Sequence, residues 1–126
     1  MRLLLDTHVL FWALVGSPRL NTAAREAILD DGNEVFISAA SLWEAAIKRS
    51  VGKLHFDTAK VLAELARNGF RELPITLRHA VAAGDLPLHH KDPFDRMLIG
   101  QAVTEGLTIV TGDAALKPYG VTALWT

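Results

Sequence analysis

The stretch DPFDRMLIGQAVTEGLTIVTGD, residues 92–113, contains the two patterns that decide the fold class. Asp92 followed by Pro93 predicts the start of a helix, because aspartate is a good N-cap and proline suits the first helical position. Leu107 to Thr111 is a short apolar run and predicts a buried strand. A helix followed by a buried strand is the repeating unit of α/β folds.

The rest of the chain repeats this alternation of strands and helices. Strands are predicted at residues 2–5, 34–37, 71–75 and 121–125, and Pro74 makes the third of these short or places it at a sheet edge. Helices are predicted at residues 8–15, 23–31, 39–50, 58–68 and 77–84. We therefore expect an α/β sandwich with a mostly parallel central sheet of four to five strands, formed as a single domain by residues 1–126.

Composition excludes several classes of protein. The chain has no cysteine, which rules out disulfides and thiolate metal sites. Asp6 and His8 interrupt the apolar N-terminus, and no stretch reaches the ~20 apolar residues of a membrane helix, so a cytoplasmic location without membrane contact is expected. The net charge of −1, from 13 basic and 14 acidic residues, is not that of a general nucleic-acid binder.

Four carboxylates stand at positions where a site could form. Asp6 directly follows the first strand, and Asp113 comes two residues after the LTIVT strand. Ligands of open parallel sheets bind outside the carboxyl ends of the strands, so these two acids should share one edge. Glu44 lies in the middle of the helix SAASLWEAAIKRS, and Asp95 lies in the first turn of the helix that begins after Asp92.

Each acid also has a purely structural interpretation. Asp6 and Asp113 could cap the elements that follow them, and Glu44 could pair with Lys48 for only ~0.3–0.5 kcal/mol. Asp95, in the first turn, would stabilise the helix because its negative charge interacts favourably with the helix dipole. If the four side chains converge, however, their mutual repulsion raises their pKa values unless a cation offsets the charge, and oxygen ligands without cysteine select magnesium or manganese. Such ions can activate water and stabilise charge on phosphoryl oxygens, which suits phosphodiester hydrolysis.

The motifs LLLDTHVLFWAL, SLWEAAIK, HHKDPFDRMLIGQA and TIVTGD occur in the order seen in PIN-domain proteins. The chain most resembles VapC-type toxins, ribonucleases of bacterial toxin–antitoxin pairs, over essentially its whole length. The resemblance implies a PIN-like α/β/α sandwich and a Mg²⁺- or Mn²⁺-dependent endoribonuclease that cleaves RNA with metal-activated water.

The same resemblance assigns roles to individual residues. It makes the four acids the catalytic and metal-binding set, with Asp92 as a supporting cap. Thr7 and Thr111 match hydroxyl residues beside the family's acids. The resemblance thus implies that the catalytic and metal-binding acids are Asp6, Glu44, Asp95 and Asp113.

RNA would need cations near this acidic pocket. Candidates for phosphate contact are Lys48, Arg49, Lys91 and Arg96, with Lys53, His89 and His90 as further candidates; scattered basic residues more often form a solvated surface. An ion shared by His89 and His90 is disfavoured, because adjacent histidines rarely fit one coordination geometry.

The resemblance further implies a homodimer and a cognate antitoxin that covers the active-site groove, in a higher toxin–antitoxin assembly in some cases. Phe11, Trp12 and Trp43 are candidates for the covered apolar surface, although aromatic residues at helical spacing favour a core position for Phe11 or Trp12. The alternative function is that of a non-catalytic PIN-fold module that binds RNA or protein. The presence of all four acids argues against that alternative.

Overall fold

The computed structural model describes all 126 residues and contains one five-stranded sheet with helices on both faces. The strands are β1 (Arg2–Leu5), β2 (Glu34–Ser38), β3 (Arg71–Leu73), β4 (Thr108–Thr111) and β5 (Ala123–Trp125). Their order is β3-β2-β1-β4-β5, and all four neighbouring pairs are parallel. This confirms the predicted α/β sandwich with a parallel sheet, and β3 is the predicted short edge strand.

Six α-helices connect the strands: α1 (Thr7–Val15), α2 (Thr22–Leu29), α3 (Ala39–Ser50), α4 (Thr58–Arg67), α5 (Leu77–Gly84) and α6 (Pro93–Glu105). The predicted caps Ser38, Asp57, Thr76 and Asp92 each accept a hydrogen bond from the first turn of their helix. A 3₁₀ helix, Ala114–Tyr119, was not predicted, because a single short turn containing Pro118 leaves no hydrophobic period in the sequence. No helix combines the length and apolar character needed to cross a membrane.

The sheet is buried on both faces. Leu3 and Leu5 of β1 pack with α1, α2 and α4, whereas Leu4 packs with α6 and the 3₁₀ helix. Alternate residues of a strand point to opposite faces, so a continuous apolar run is what a doubly covered strand requires. Burying these leucines fixes where β1 ends and therefore where Asp6 emerges.

The position of the site follows from the strand order. The chain passes from β1 to β2 and β3 on one side, and then returns to β4 and β5 on the other side of β1. Strands β1 and β4 are in register, with Leu5 opposite Val110. The crevice beyond their carboxyl ends is the switch point at which open α/β sheets bind ligands.

Candidate metal centre

Asp6 lies at the end of β1 and uses all of its polar groups. Its backbone N–H donates to the carbonyl of Val110 at 3.1 Å. Oδ1 accepts from the N–H of Val9 at 2.8 Å and so caps α1, while Oδ2 accepts from the hydroxyl of Thr111. The side chain is buried. Asp6 is therefore both a helix cap and a fixed carboxylate at the switch point.

Thr111 connects Asp6 to Asp113. Besides donating to Asp6, its Oγ1 accepts from the backbone N–H of Asp113 at 3.0 Å. Asp113 in turn accepts through Oδ1 from the N–H of Ala115 at 2.9 Å and caps the 3₁₀ helix. Two capped turns thus hold their acids at neighbouring strand ends.

The start of α6 supplies the third acid. Oδ1 of Asp92 accepts from the N–H groups of Phe94 and Asp95, at 2.9 and 3.2 Å, and caps the helix as predicted. Asp95 instead turns its carboxylate to His90, with 2.8 Å between Oδ2 and Nε2. Potential ligand atoms of His90, Asp95 and Asp113 all lie within 4.8 Å of one another.

Glu44 is held next to this group and not within it. Its Oε1 accepts from the Thr7 hydroxyl at 2.6 Å, and its Oε2 lies 3.3 Å from Nζ of Lys48. Because Thr7 directly follows Asp6, the carboxylate of Glu44 lies on the α1 side of the site. The ion pair with Lys48, considered from the sequence as a structural alternative, is therefore present.

Burial and repulsion between neighbouring acids raise the pKa values of Asp6 and Asp95. Burial raises the pKa of Asp6, and the nearby Asp113 raises it further, against the hydrogen bonds from Thr111 and Val9. Burial raises the pKa of Asp95 to about 6; Asp92 and Asp113 add to the rise, whereas the hydrogen bond from His90 opposes it. A bound cation would favour the ionised form of both groups.

The donor set fits a hard divalent cation. Two carboxylates and one imidazole lie together, Asp6 is joined to them through Thr111, and the chain has no thiolate that would select a softer metal. Asp95 and Asp113 would bind the ion most directly, because their oxygen atoms already lie near one another and near His90. Asp6 and Glu44 would have to exchange a present hydrogen bond or act through water.

Arg96 supports the loop before α6 and does not extend to the site. Its Nη1 donates to the carbonyl of Pro87 at 2.9 Å, and its Nη2 donates to the carbonyls of Ala83 and Leu86 at 2.9 and 3.0 Å. The sequence made Arg96 a candidate for phosphate contact because it follows Asp95, and that role stays a prediction. Consecutive residues of a helix point about 100° apart, and here the guanidinium binds backbone carbonyls.

The other predicted RNA contacts are distributed unevenly. Lys48 lies beside the site through Glu44, and Lys91 is exposed next to Asp92. Arg49 turns away, since its Nε donates to the carbonyl of Phe56 at 2.9 Å.

The aromatic residues divide as the helical spacing indicated. Phe11 and Trp12 are partly buried and pack against the hydrophobic core between α1 and the sheet. Trp43 is 61% exposed and meets the ring of Phe94 edge-on at 5.2 Å between centroids. Only Trp43 of the three thus presents a largely open apolar surface, and it lies close to the start of α6.

Sequence reasoning missed His90 as a member of the acidic group. The residue was considered as a candidate for phosphate contact and as a metal partner of His89, whose ring instead packs edge-on against Tyr119 at 5.2 Å. The sequence signal was that His90 precedes the N-cap Asp92 by two residues. A side chain at that position can fold back over the first turn of α6, where Asp95 lies.

Known proteins share both the sequence and the fold of this chain. Residues 3–121 match the family model of the PIN domain. Ribonuclease VapC22 of Mycobacterium tuberculosis is 32% identical over 119 residues, which span 92% of this chain and 90% of that protein.

Solved structures agree at the level of the fold. VapBC2 from Rickettsia felis, bound to a DNA fragment from its promoter, aligns with a TM-score of 0.74 at 17% identity over 100% of this chain and 99% of that chain. DNA-bound VapBC from Salmonella typhimurium aligns with a TM-score of 0.70 at 18% identity over 98% and 97%. The match of the family model to residues 3–121 and the 32% identity to VapC22 over 92% of the chain show that the chain belongs to the PIN domain family, among its VapC-type members.

Proposed function

We propose that this protein is a Mg²⁺- or Mn²⁺-dependent endoribonuclease and the toxin of a type II toxin–antitoxin pair, acting on RNA in the cytoplasm. The observation that supports this most is the close approach of Asp95 and Asp113, with Asp6 joined to Asp113 through Thr111, at the switch point of a VapC-type chain. VapC22, the relative from Mycobacterium tuberculosis, is a ribonuclease, which favours the same chemistry here.

The residues divide the work of the site as follows. Asp95 and Asp113 would hold one or two ions directly, and Asp6 and Glu44 would do so through water or after exchange of a present contact. When bound, a divalent ion makes water acidic near neutral pH and stabilises negative charge on phosphoryl oxygens.

The hydroxyl side chains set the positions of the acids. Thr111 holds the carboxylate of Asp6 and the backbone of Asp113 by hydrogen bonds. Thr7 holds the carboxylate of Glu44 in the same way. Asp92 places Asp95 in the first turn of α6. Lys48 and Lys91 offset the charge of the RNA phosphates.

The partners follow from the same surface. The Rickettsia and Salmonella structures are VapBC complexes, which supports an antitoxin as the partner of this chain. Trp43 exposes an apolar ring beside Phe94, one residue before Asp95, so an antitoxin segment bound there would cover the site. We include in the proposal a homodimer that joins its antitoxin in a larger assembly.

The experiment compares cleavage of total bacterial RNA by the purified protein and by the variants Asp6→Asn and Asp95→Asn, with Mg²⁺, with Mn²⁺ and with EDTA. Loss of ion binding should reduce cleavage by roughly a hundredfold or more, because such ions supply several kcal/mol of transition-state stabilisation. Asp31→Asn is the matched control, since Asp31 is an exposed acid outside the site. Mapping the new RNA ends then gives the cleavage sequence.

Two outcomes would contradict the proposal. Full metal-dependent cleavage by Asp6→Asn would show that the metal centre assigned here is not the one that cleaves RNA. Binding of Mn²⁺ and RNA by the wild-type protein without any cleavage, and without a growth defect on induced expression, would favour the non-catalytic PIN-fold module.

A further inference from the structure

His90 is the one histidine whose ring nitrogen contacts an acid of the metal centre. Its Nε2 lies 2.8 Å from Oδ2 of Asp95, and an oxygen of Asp113 lies within 4.8 Å of both. We infer that His90 is a nitrogen ligand of the divalent metal ion, so that the centre prefers Mn²⁺ to Mg²⁺. The inference rests on the proposed metal dependence.

The separations suit a shared ion. In an octahedral site with bonds of about 2.1 Å, adjacent ligand atoms lie about 3 Å apart and opposite ones about 4.2 Å apart. The distance between His90 and Asp95 matches an adjacent pair, and Asp113 lies within reach of a third position after a small adjustment. The heavy atoms of the ring and the two carboxylates therefore need little rearrangement to bind one ion. The ion would replace the proton that His90 and Asp95 share in their hydrogen bond, and that proton would be released to solvent.

The loop is built to hold this imidazole in place. The carbonyl of His90 accepts from Nη1 of Arg96 at 3.4 Å and from the hydroxyl of Tyr119 at 3.3 Å. Arg96 also binds the carbonyls of Leu86 and Pro87, just upstream of His90. The backbone is thus held both at residue 90 and before it, which limits the positions that the ring can reach.

The ligand type sets the preference between metals. Mg²⁺ favours oxygen ligands and keeps several waters, whereas Mn²⁺, a larger transition-metal ion, accepts an imidazole nitrogen more readily than Mg²⁺ does. A centre with one imidazole among its carboxylates should therefore bind Mn²⁺ more tightly than Mg²⁺. Removal of that imidazole should reduce Mn²⁺ affinity more than Mg²⁺ affinity.

The experiment uses the paramagnetism of Mn²⁺. The full-length protein is loaded with one equivalent of Mn²⁺, and electron spin-echo modulation is recorded with natural-abundance protein and with protein labelled with ¹⁵N at histidine. We expect ¹⁴N modulation that changes to the ¹⁵N pattern on labelling. His90→Gln should abolish it and raise the Mn²⁺ dissociation constant about tenfold or more, with a smaller rise for Mg²⁺.

His89→Gln is the matched control, because His89 packs against Tyr119 and should leave the modulation unchanged. Circular dichroism and Mg²⁺ binding verify that His90→Gln is folded. Tight Mn²⁺ binding by the wild-type protein without histidine modulation, or modulation that persists in His90→Gln, would overturn the inference and leave the proposed nuclease intact. No binding of either ion would instead overturn the metal dependence on which it rests.

Discussion

Thr111 donates a hydrogen bond from its hydroxyl to Oδ2 of Asp6, and this contact joins the ends of two neighbouring strands. The hydroxyl oxygen of Thr111 also accepts a hydrogen bond from the backbone N–H of Asp113. One buried hydroxyl therefore sets the orientation of one acid by direct contact and that of a second through its backbone. It also lowers the pKa of Asp6 against the effect of burial.

Thr111→Val should keep the shape of the side chain and remove both hydrogen bonds. The Asp6 carboxylate and the Asp113 N–H then lose a buried partner, so the free energy of unfolding should fall by about 1–3 kcal/mol. Cleavage should fall as well, because Asp6 becomes harder to ionise. Urea denaturation and RNA cleavage measure the two effects.

Thr111→Ser is the control for this substitution, since it keeps the hydroxyl. It should retain most of the activity that Thr111→Val loses. Equal activity of the valine and wild-type proteins would show that the hydroxyl has no role in positioning the acids.

Asp95 makes the stability of the metal-free protein depend on pH. Its pKa rises from 3.8 to about 6 on folding, so its favourable contribution is complete below pH 3.8 and is lost as pH rises through about 6. Asp95→Asn cannot ionise. The metal-free variant should therefore gain thermal stability over the wild type as pH rises from 4 to 6, with a constant difference above about pH 7.

The measurement is the melting temperature of both proteins in EDTA between pH 4 and 8. Asp31→Asn should show no such change relative to wild type, because Asp31 is exposed and outside the site. A difference between Asp95→Asn and wild type that does not vary with pH would contradict the raised pKa.

Arg96 stabilises the loop between α5 and α6 through its fork of donors. Arg96→Lys keeps the charge but cannot reach the carbonyls of Ala83, Leu86 and Pro87 together. Loss of these charge-assisted bonds should lower the free energy of unfolding by about 2 kcal/mol. Hydrogen exchange should accelerate at residues 85–91.

Arg78→Lys serves as the comparison, because Arg78 is an exposed arginine on α5. It should leave both stability and hydrogen exchange near the wild-type values. Unchanged exchange of the loop in Arg96→Lys would mean that the loop holds its shape without the guanidinium.

The sequence predicted the parts of the site that depend on regular elements. Parallel strands end at one edge, so Asp6 and Asp113 could be placed together without coordinates. Asp92 followed by Pro93 likewise fixed the start of α6, and with it the position of Asp95 in the first turn.

The remaining features depend on how loops and helices meet in space. His90 and Arg96 find their partners through the conformation of residues 85–91, which has no periodic pattern to read. For Glu44, the sequence gives a helix face but not the distance to the acids, and the side chain is occupied by Thr7 and Lys48.

Gly100 shows a further constraint that the sequence alone does not reveal. It lies in α6 where this helix packs against α5, and a Cβ there would lie 2.8 Å from the backbone nitrogen of Ala83. Helix propensity favours Gly100→Ala by about 1 kcal/mol. The clash is with backbone, however, and overpacking costs about 1–3 kcal/mol, so we expect a net loss of stability.

Gly84→Ala tests the packing argument at the end of the same helix pair. A Cβ at Gly84 would meet no atom within 4 Å, so this substitution should be neutral or stabilising by up to about 1 kcal/mol. Chemical denaturation of both variants measures the contrast. Because Arg96 binds the carbonyl of Ala83, a shift of α5 in Gly100→Ala should also speed hydrogen exchange in the loop that carries His90. A Gly100→Ala protein as stable as Gly84→Ala would show that α5 and α6 can separate without cost.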